Sequence, residues 1–148
     1  MNRFLKFFKK IFPDKKIIFI VEDNEVYAKS LQAFIQTRFS NIKEIKIFNI
    51  GETCLAEMDH NPDIVIVDYF LNSKFEVAYN GLEVINRIKA MKPLTNIIVL
   101  SAQEKFDVIL EAIKEYDCVY VQKDNDAFNS VGRFIKQIID RKTSKTFN

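Results

Sequence analysis

A chain of 148 residues, 48% hydrophobic and 28% charged, suits one globular domain large enough to bury a real core. Its formal charge of +2 hides a segregation: residues 1–16 hold six basic groups and one acid, residues 141–148 three basic groups and no acid, and residues 17–140 carry a net −6. An acidic middle without zinc-finger spacing or a recognition helix argues against direct nucleic-acid binding, and no apolar run approaches the roughly 20 residues that span a bilayer.

Phe4, Leu5, Phe7, Phe8, Ile11 and Phe12 recur at helical spacing with Arg3, Lys6, Lys9 and Lys10 between them, and Pro13 closes the stretch. Such a face suits packing on its own domain, contact with a second copy or partner, or weak contact with a membrane surface through residues 1–12; disorder is the remaining alternative. It is too short, and too broken by lysines, for a cleavable secretory signal. Residues 1–15 therefore form a basic amphipathic segment, 16–141 the folded domain, and 142–148 a flexible tail without periodicity. Cys54 and Cys118 form no motif and read as reduced core thiols.

Lys16–Val21 is the first expected strand. Glu22-Asp23-Asn24-Glu25 then opens a helix to about Phe39, capped by Asn24 or Asp23, with Val26, Tyr27, Ser30, Leu31, Phe34 and Ile35 as its apolar stripe. Ile42–Phe48 is the second strand, and Asn49–Asp59 the next helix, with Cys54, Leu55 and Met58 inward. Pro62-Asp63 leads into Ile64-Val65-Ile66-Val67-Asp68, a continuous β-branched run ending in a carboxylate, as in a central parallel strand covered on both faces. Tyr69–Asn80 is the longest irregular segment. Asn80-Gly81 signals a turn into a helix over Gly81–Met91, and Pro93 precedes a fourth strand at Ile97–Leu100. Gln103–Tyr116 is expected as a helix burying Phe106, Ile109, Leu110 and Ile113. Val119–Val121 is a short fifth strand, and Asp126–Asp140 the last helix. Strands alternating with helices on short connections demand an α/β fold with a doubly wound, five-stranded parallel sheet.

Open sheets of this kind place their chemistry beyond the carboxyl ends of the strands. Those ends supply Glu22 and Asp23, Asp68, Ser101, and Lys123 just past the fifth strand. Three carboxylates held close repel one another and favour a hard divalent cation such as Mg²⁺. Asp68, facing that cation, can act as a nucleophile toward phosphorus. A lysine ammonium and a hydroxyl supply the charge and the donor that a transferring phosphoryl group needs. The plainer alternatives are acids that merely punctuate strand ends, a turn serine and a solvated lysine. The glycine loops of dinucleotide and Walker sites are absent. His60, the one histidine, lies at the far end of the third strand, so no triad or zinc site forms near Asp68.

Over roughly 17–141 the chain resembles the receiver domain of bacterial two-component response regulators, of the stand-alone type. The resemblance rests on Glu22-Asp23-Asn24 after an apolar strand, Asp68 at a strand end, Asn80-Gly81-Leu82-Glu83, Leu100-Ser101-Ala102, and Tyr120-Val121-Gln122-Lys123. It implies a (βα)5 fold with flavodoxin-like strand order 2-1-3-4-5. It also implies Asp68 as phosphoacceptor, charged by a histidine kinase or phosphotransfer protein. Mg²⁺ (Mn²⁺ as the alternative) would be held by Glu22, Asp23, Asp68 and the backbone carbonyl of Phe70. Ser101 and Lys123 would hold the phosphoryl oxygens, and Tyr120 would turn inward with Ser101 as a switch pair. The activity implied is Mg²⁺-dependent self-phosphorylation and self-dephosphorylation by a cytoplasmic signalling protein rather than a conventional enzyme. Its downstream protein target, or a homodimer mate, would meet the face formed by 103–116, 119–121 and 126–140.

The sequence has no stretch for an output domain after its last helix, so output is expected through contacts unless the sequence is a piece of a longer protein. The alternative is a pseudo-receiver, a constitutive interaction or scaffold module that is never phosphorylated. Two departures from the family stand out. Gly81 follows Asp68 at a longer distance than the family's glycine follows its phosphoacceptor, so residues 73–79 are expected to form an extra loop using Phe75, Val77 and Tyr79. Asp124 stands where the family commonly has a cis proline, and a non-proline cis bond costs about 2.5–4 kcal/mol, so a trans bond is expected. Phe70 and Gln103, each two residues past a site residue, are expected to modulate dephosphorylation by bordering the path of the hydrolytic water.

Overall fold

The computed structural model describes residues 2–11, 14–71, 79–102, 107, 109–110 and 114–144. After the N-terminal helix α1 (Arg3–Ile11), β1 (Lys16–Val21), α2 (Glu25–Arg38), β2 (Ile42–Phe48) and α3 (Gly51–Ala56) follow, with a 3-10 turn at Met58–His60. Then come β3 (Ile64–Asp68), α4 (Gly81–Met91), β4 (Asn96–Ser101), β5 (Val119–Gln122) and α5 (Ala127–Ser144). The five strands pair in parallel in the order β2-β1-β3-β4-β5, as the sequence leads one to expect.

Both faces of the sheet are covered, which is why β1 and β3 read as unbroken apolar runs. Successive side chains alternate between faces. Ile18, Ile20, Ile64, Ile66, Ile98 and Leu100 meet Ala28, Leu31 and Ile35 of α2 and Val131, Ile135 and Ile138 of α5. Phe19, Val21, Val65, Val67, Ile97 and Val99 meet Cys54, Met58, and Val84, Ile85 and Ile88 of α4. All five residues of β3 are buried, so Asp68 leaves the core at a fixed height. In the register Val21 lies opposite Val67, which sets Glu22 and Asp68, one residue on, side by side at the carboxyl edge.

The structure corrects several local expectations. Asn24 caps α2 by accepting from the Tyr27 amide at 3.0 Å. That cap fixes the helical phase, so Ala28, Leu31 and Ile35 face the core and Val26 is 76% exposed rather than part of the stripe. The helix expected over Asn49–Asp59 is shorter, because the chain tightens into the 3-10 turn and stops at Asn61 in the left-handed region (φ 52°). The final helix outruns its apolar periodicity, continuing past Asp140 to Ser144. A helix already nucleated needs only good formers such as Arg141 to propagate. Of the helix expected at Gln103–Tyr116, residues 107, 109–110 and 114 are helical and Ile109 is buried, while Gln103, Phe106 and Ile113 lie outside the described residues, as do Phe75 and Val77. No cis peptide occurs among the described residues. Both cysteines are free, and burial pushes their thiols up, Cys54 to about 12 and Cys118 to about 11, which keeps them protonated and unreactive. No helix among the described residues is long and apolar enough to cross a membrane.

Candidate functional site

The carboxyl edge of β1, β3 and β4 brings Glu22, Asp23, Asp68, Ser101 and Lys123 into one region. Glu22 and Asp68 are almost wholly buried and Asp23 half-buried, and one ligand oxygen from each of the three lies within 4.8 Å of the others. Glu22 Oε1 accepts from the Asn24 amide at 3.0 Å, and Asp68 Oδ1 from the Phe70 amide at 3.1 Å. The outer oxygens share one cation. Lys123 Nζ donates to Glu22 Oε2 at 2.5 Å and to Asp68 Oδ2 at 3.0 Å. Lys123 reaches them because its own amide donates to the Ser101 carbonyl at 2.8 Å, extending β5 against β4 by one residue.

Electrostatics here is a contest between burial and that ammonium. Burial pushes the Glu22 carboxyl up to about 7; the Lys123 hydrogen bond pulls the other way, and the neighbouring Asp68 charge adds to the rise. Asp68 is raised by burial as well, with Lys123 opposing. For Lys123, burial pulls the ammonium down, but the bonds to both carboxylates outweigh it and leave the group above its ordinary value. Three carboxyls against one ammonium, which is bonded to only Glu22 and Asp68, leave an excess of negative charge on hard oxygen donors. That donor set fits a divalent cation of the Mg²⁺ kind.

Ser101 is wholly buried as the last residue of β4, opposite Gln122. Tyr120 is half-buried on β5 opposite Val99, so alternation sets Ser101 and Tyr120 on the same face of the sheet. Phe70 remains 39% exposed beside the pocket, its ring edge-on to Tyr69 at 5.0 Å. Gln103 lies outside the described residues.

Sequence reading missed three contributors. Tyr27, taken for a stripe residue, has its ring 4.5 Å from the Lys123 ammonium, a cation–π contact that helps aim the lysine. The signal was positional: a helix capped at Asn24 carries Tyr27 in its first turn, beside the carboxyl edge. Glu52 and Arg87 hold the exit of the long segment after Asp68. The Tyr79 amide donates to Glu52 Oε1 at 2.7 Å, and the Arg87 guanidinium lies 4.3 Å from the Tyr79 ring. Tyr79 thus packs against the domain. Asn80 then opens α4 with a capping box shared with Glu83. The Gly81 amide donates to the Tyr69 carbonyl at 3.1 Å, drawing the helix start onto the backbone that follows Asp68.

Comparison with known proteins agrees with this fold. A family model described as the response regulator receiver domain matches residues 18–131. A cyclic di-GMP phosphodiesterase of Thermotoga maritima is 25% identical over 97 residues, covering 66% of this chain and 24% of that protein, so the chain spans about a quarter of that relative's length. Among solved structures, the signal receiver domain of a modulated diguanylate cyclase from Desulfovibrio desulfuricans superposes with a TM-score of 0.69 at 25% identity, covering 89% of this chain and 99% of the other. The receiver domain of a DNA-binding response regulator from Colwellia psychrerythraea gives 0.70 at 23% identity, covering 85% and 99%.

Proposed function

The chain belongs to the response regulator receiver family, and on that premise we propose that it is a phosphorylation-controlled switch with Asp68 as its phosphoacceptor. Receiver domains are phosphorylated on aspartate and interact with histidine kinases and downstream effectors. The observation that carries the reading here is the buried Asp68 carboxylate at the end of the central strand, flanked by two further carboxylates and held by an ammonium at 3.0 Å. An Asp68 oxygen attacks the phosphorus of a partner's phosphohistidine, the P–O bond forms as the P–N bond breaks, and the electron pair leaves with the imidazole nitrogen. Glu22, Asp23, Asp68 and the Phe70 backbone carbonyl would hold Mg²⁺, which supplies positive charge next to the transferring oxygens. Lys123 turns from the carboxylates to a phosphoryl oxygen, and the Ser101 hydroxyl donates to another.

Those bonds exist only in the modified form, so they shift a pre-existing equilibrium rather than create a new state. Tyr120, on the Ser101 face of the sheet, carries the shift outward to a protein target or a second copy. The face expected to read it is built from 103–116, β5 and α5. The direct test is intact mass after incubation with Mg²⁺ and acetyl phosphate. A mass gain that base removes supports the switch, and none in folded protein points to a constitutive interaction module.

Two further outcomes follow from the pocket. Above its dissociation constant, each tenfold rise in Mg²⁺ should stabilise the fold by about 1.4 kcal/mol in urea unfolding. Asp23→Ala should move the onset of that slope to higher Mg²⁺, and an unmoved onset removes Asp23 from the cation site. Phe70→Ala should shorten the phosphoryl lifetime in the intact protein, because the ring borders the approach of water to the Asp68 phosphate. An unchanged hydrolysis rate sinks that role.

A further inference from the structure

The apolar face of α1 is largely exposed. Phe4, Leu5, Phe7, Phe8 and Ile11 are 48–67% exposed, and no described side chain of the helix is buried. A helix of nine residues is far shorter than the roughly 12–15 at which isolated helices become even marginally stable in water, so its apolar face needs a support. At about 100° per residue, the five apolar side chains fill an arc of about 160°, and Arg3, Lys6, Lys9 and Lys10 take the rest of the circumference without one acid. By position on the helix, basic residues stand at both edges of the apolar arc, position 3 beside that of Phe7 and position 9 beside that of Leu5.

We propose that α1 is an interfacial anchor that seats this domain on an anionic lipid surface, aromatic face down, with its lysines and arginine reaching the headgroup phosphates. Charge complementarity selects this occupant. A lipid surface supplies negative charge along both edges of the apolar arc at once, and long basic side chains can bury their stems while keeping their heads at the phosphates. The protein's own exposed apolar side chains do not offer an equivalent seat. Val26 and Phe70 stand apart on α2 and after β3, and the groove at Pro62, Met91, Pro93 and Leu94 is short and rimmed by Lys92. The net −6 of residues 17–140 tends to keep the body off the same surface, so contact is confined to the helix. The inference does not depend on the phosphoryl chemistry.

Co-sedimentation of the full chain with phosphatidylcholine vesicles, with and without phosphatidylserine, tests it. Binding should be at least about tenfold tighter to the serine-containing vesicles and should weaken as salt shortens the screening length. Phe4→Ser combined with Phe7→Ser should abolish it while leaving the unfolding midpoint unchanged, since both side chains are exposed in the folded protein. Equal binding to neutral vesicles, or binding unaffected by the double substitution, overturns the proposal. So does a dimer in sedimentation equilibrium that the same double substitution dissociates in a protein that never binds vesicles, which would make a second copy the cover for α1.

Discussion

Asp68→Asn is expected to abolish phosphorylation while leaving the protein folded. The wild-type chain, incubated with Mg²⁺ and acetyl phosphate or phosphoramidate, should gain about 80 Da, the mass of one added phosphoryl group. The variant should gain nothing under the same conditions. The amide keeps the shape of the carboxylate but offers no anionic oxygen to attack phosphorus, so a loss of at least about 10³-fold, about 4 kcal/mol of barrier, is expected. Stability should not fall with it. The Asp68 charge is one of the influences that raise Glu22, so its removal eases the crowding at the carboxyl edge and leaves Lys123 paired with Glu22. An adduct that persists in Asp68→Asn would move the phosphoacceptor to another residue.

Gly81→Ala should be the most damaging small substitution near the site. A methyl group there would stand 2.5 Å from the Tyr69 Cα and 2.7 Å from the Tyr69 carbonyl oxygen, and backbone cannot rotate out of the way. Overpacking of this kind typically destabilises by about 1–3 kcal/mol, and the absence of a flexible neighbour argues for the upper end. Relief must come from moving Tyr69 and Phe70, and the Phe70 amide is the donor that orients Asp68 Oδ1. Phosphorylation should therefore slow as well, by about 10²-fold for a displacement of about 1 Å. Gly132→Ala is the control. The nearest atoms to its new methyl would be side-chain atoms of Arg38 and Phe34 at 3.3–3.4 Å, which can shift by a few tenths of an ångström, and α5 would gain up to about 0.8–1 kcal/mol of helix propensity. Equal unfolding free energies for the two variants would show that the α4–Tyr69 approach tolerates a methyl.

The sheet was legible because burial on two faces imprints itself on sequence. Ile64–Val67 and Ile17–Val21 could be read as strands without any long-range information, and the acids at their ends indicated which edge carries the chemistry. Helix ends were less legible. The 3-10 tightening at Met58–His60 leaves no apolar signature, and α5 continues through residues whose only helical qualification is propensity. At the pocket, the residue types pointed to the candidate elements but not to their pairings. That Lys123 bonds Glu22 and Asp68 together, and that Tyr27 lies against its ammonium, depends on how β5 and α2 meet the carboxyl edge. Glu52 and Arg87 were beyond reach for the same reason. Each sits on a helix surface where a charged residue reads as solvated, and the Tyr79 they hold comes from a segment whose path no local rule specifies.

If the proposed phosphoryl chemistry holds, Lys123 already seated on Glu22 and Asp68 means that a carboxylate should not imitate the modified state. Asp68→Glu would lengthen the side chain by one methylene and present another singly charged group to the same ammonium, restoring the ion pair that the unmodified protein already makes at 3.0 Å. What distinguishes an aspartyl phosphate is a second negative charge and additional acceptor oxygens, which on the proposed chemistry would draw the lysine off Glu22. On that proposal, Asp68→Glu is not expected to give a permanently active form. Such a form calls for an inert tetrahedral anion held on the Asp68 oxygen, a ligand rather than a mutation.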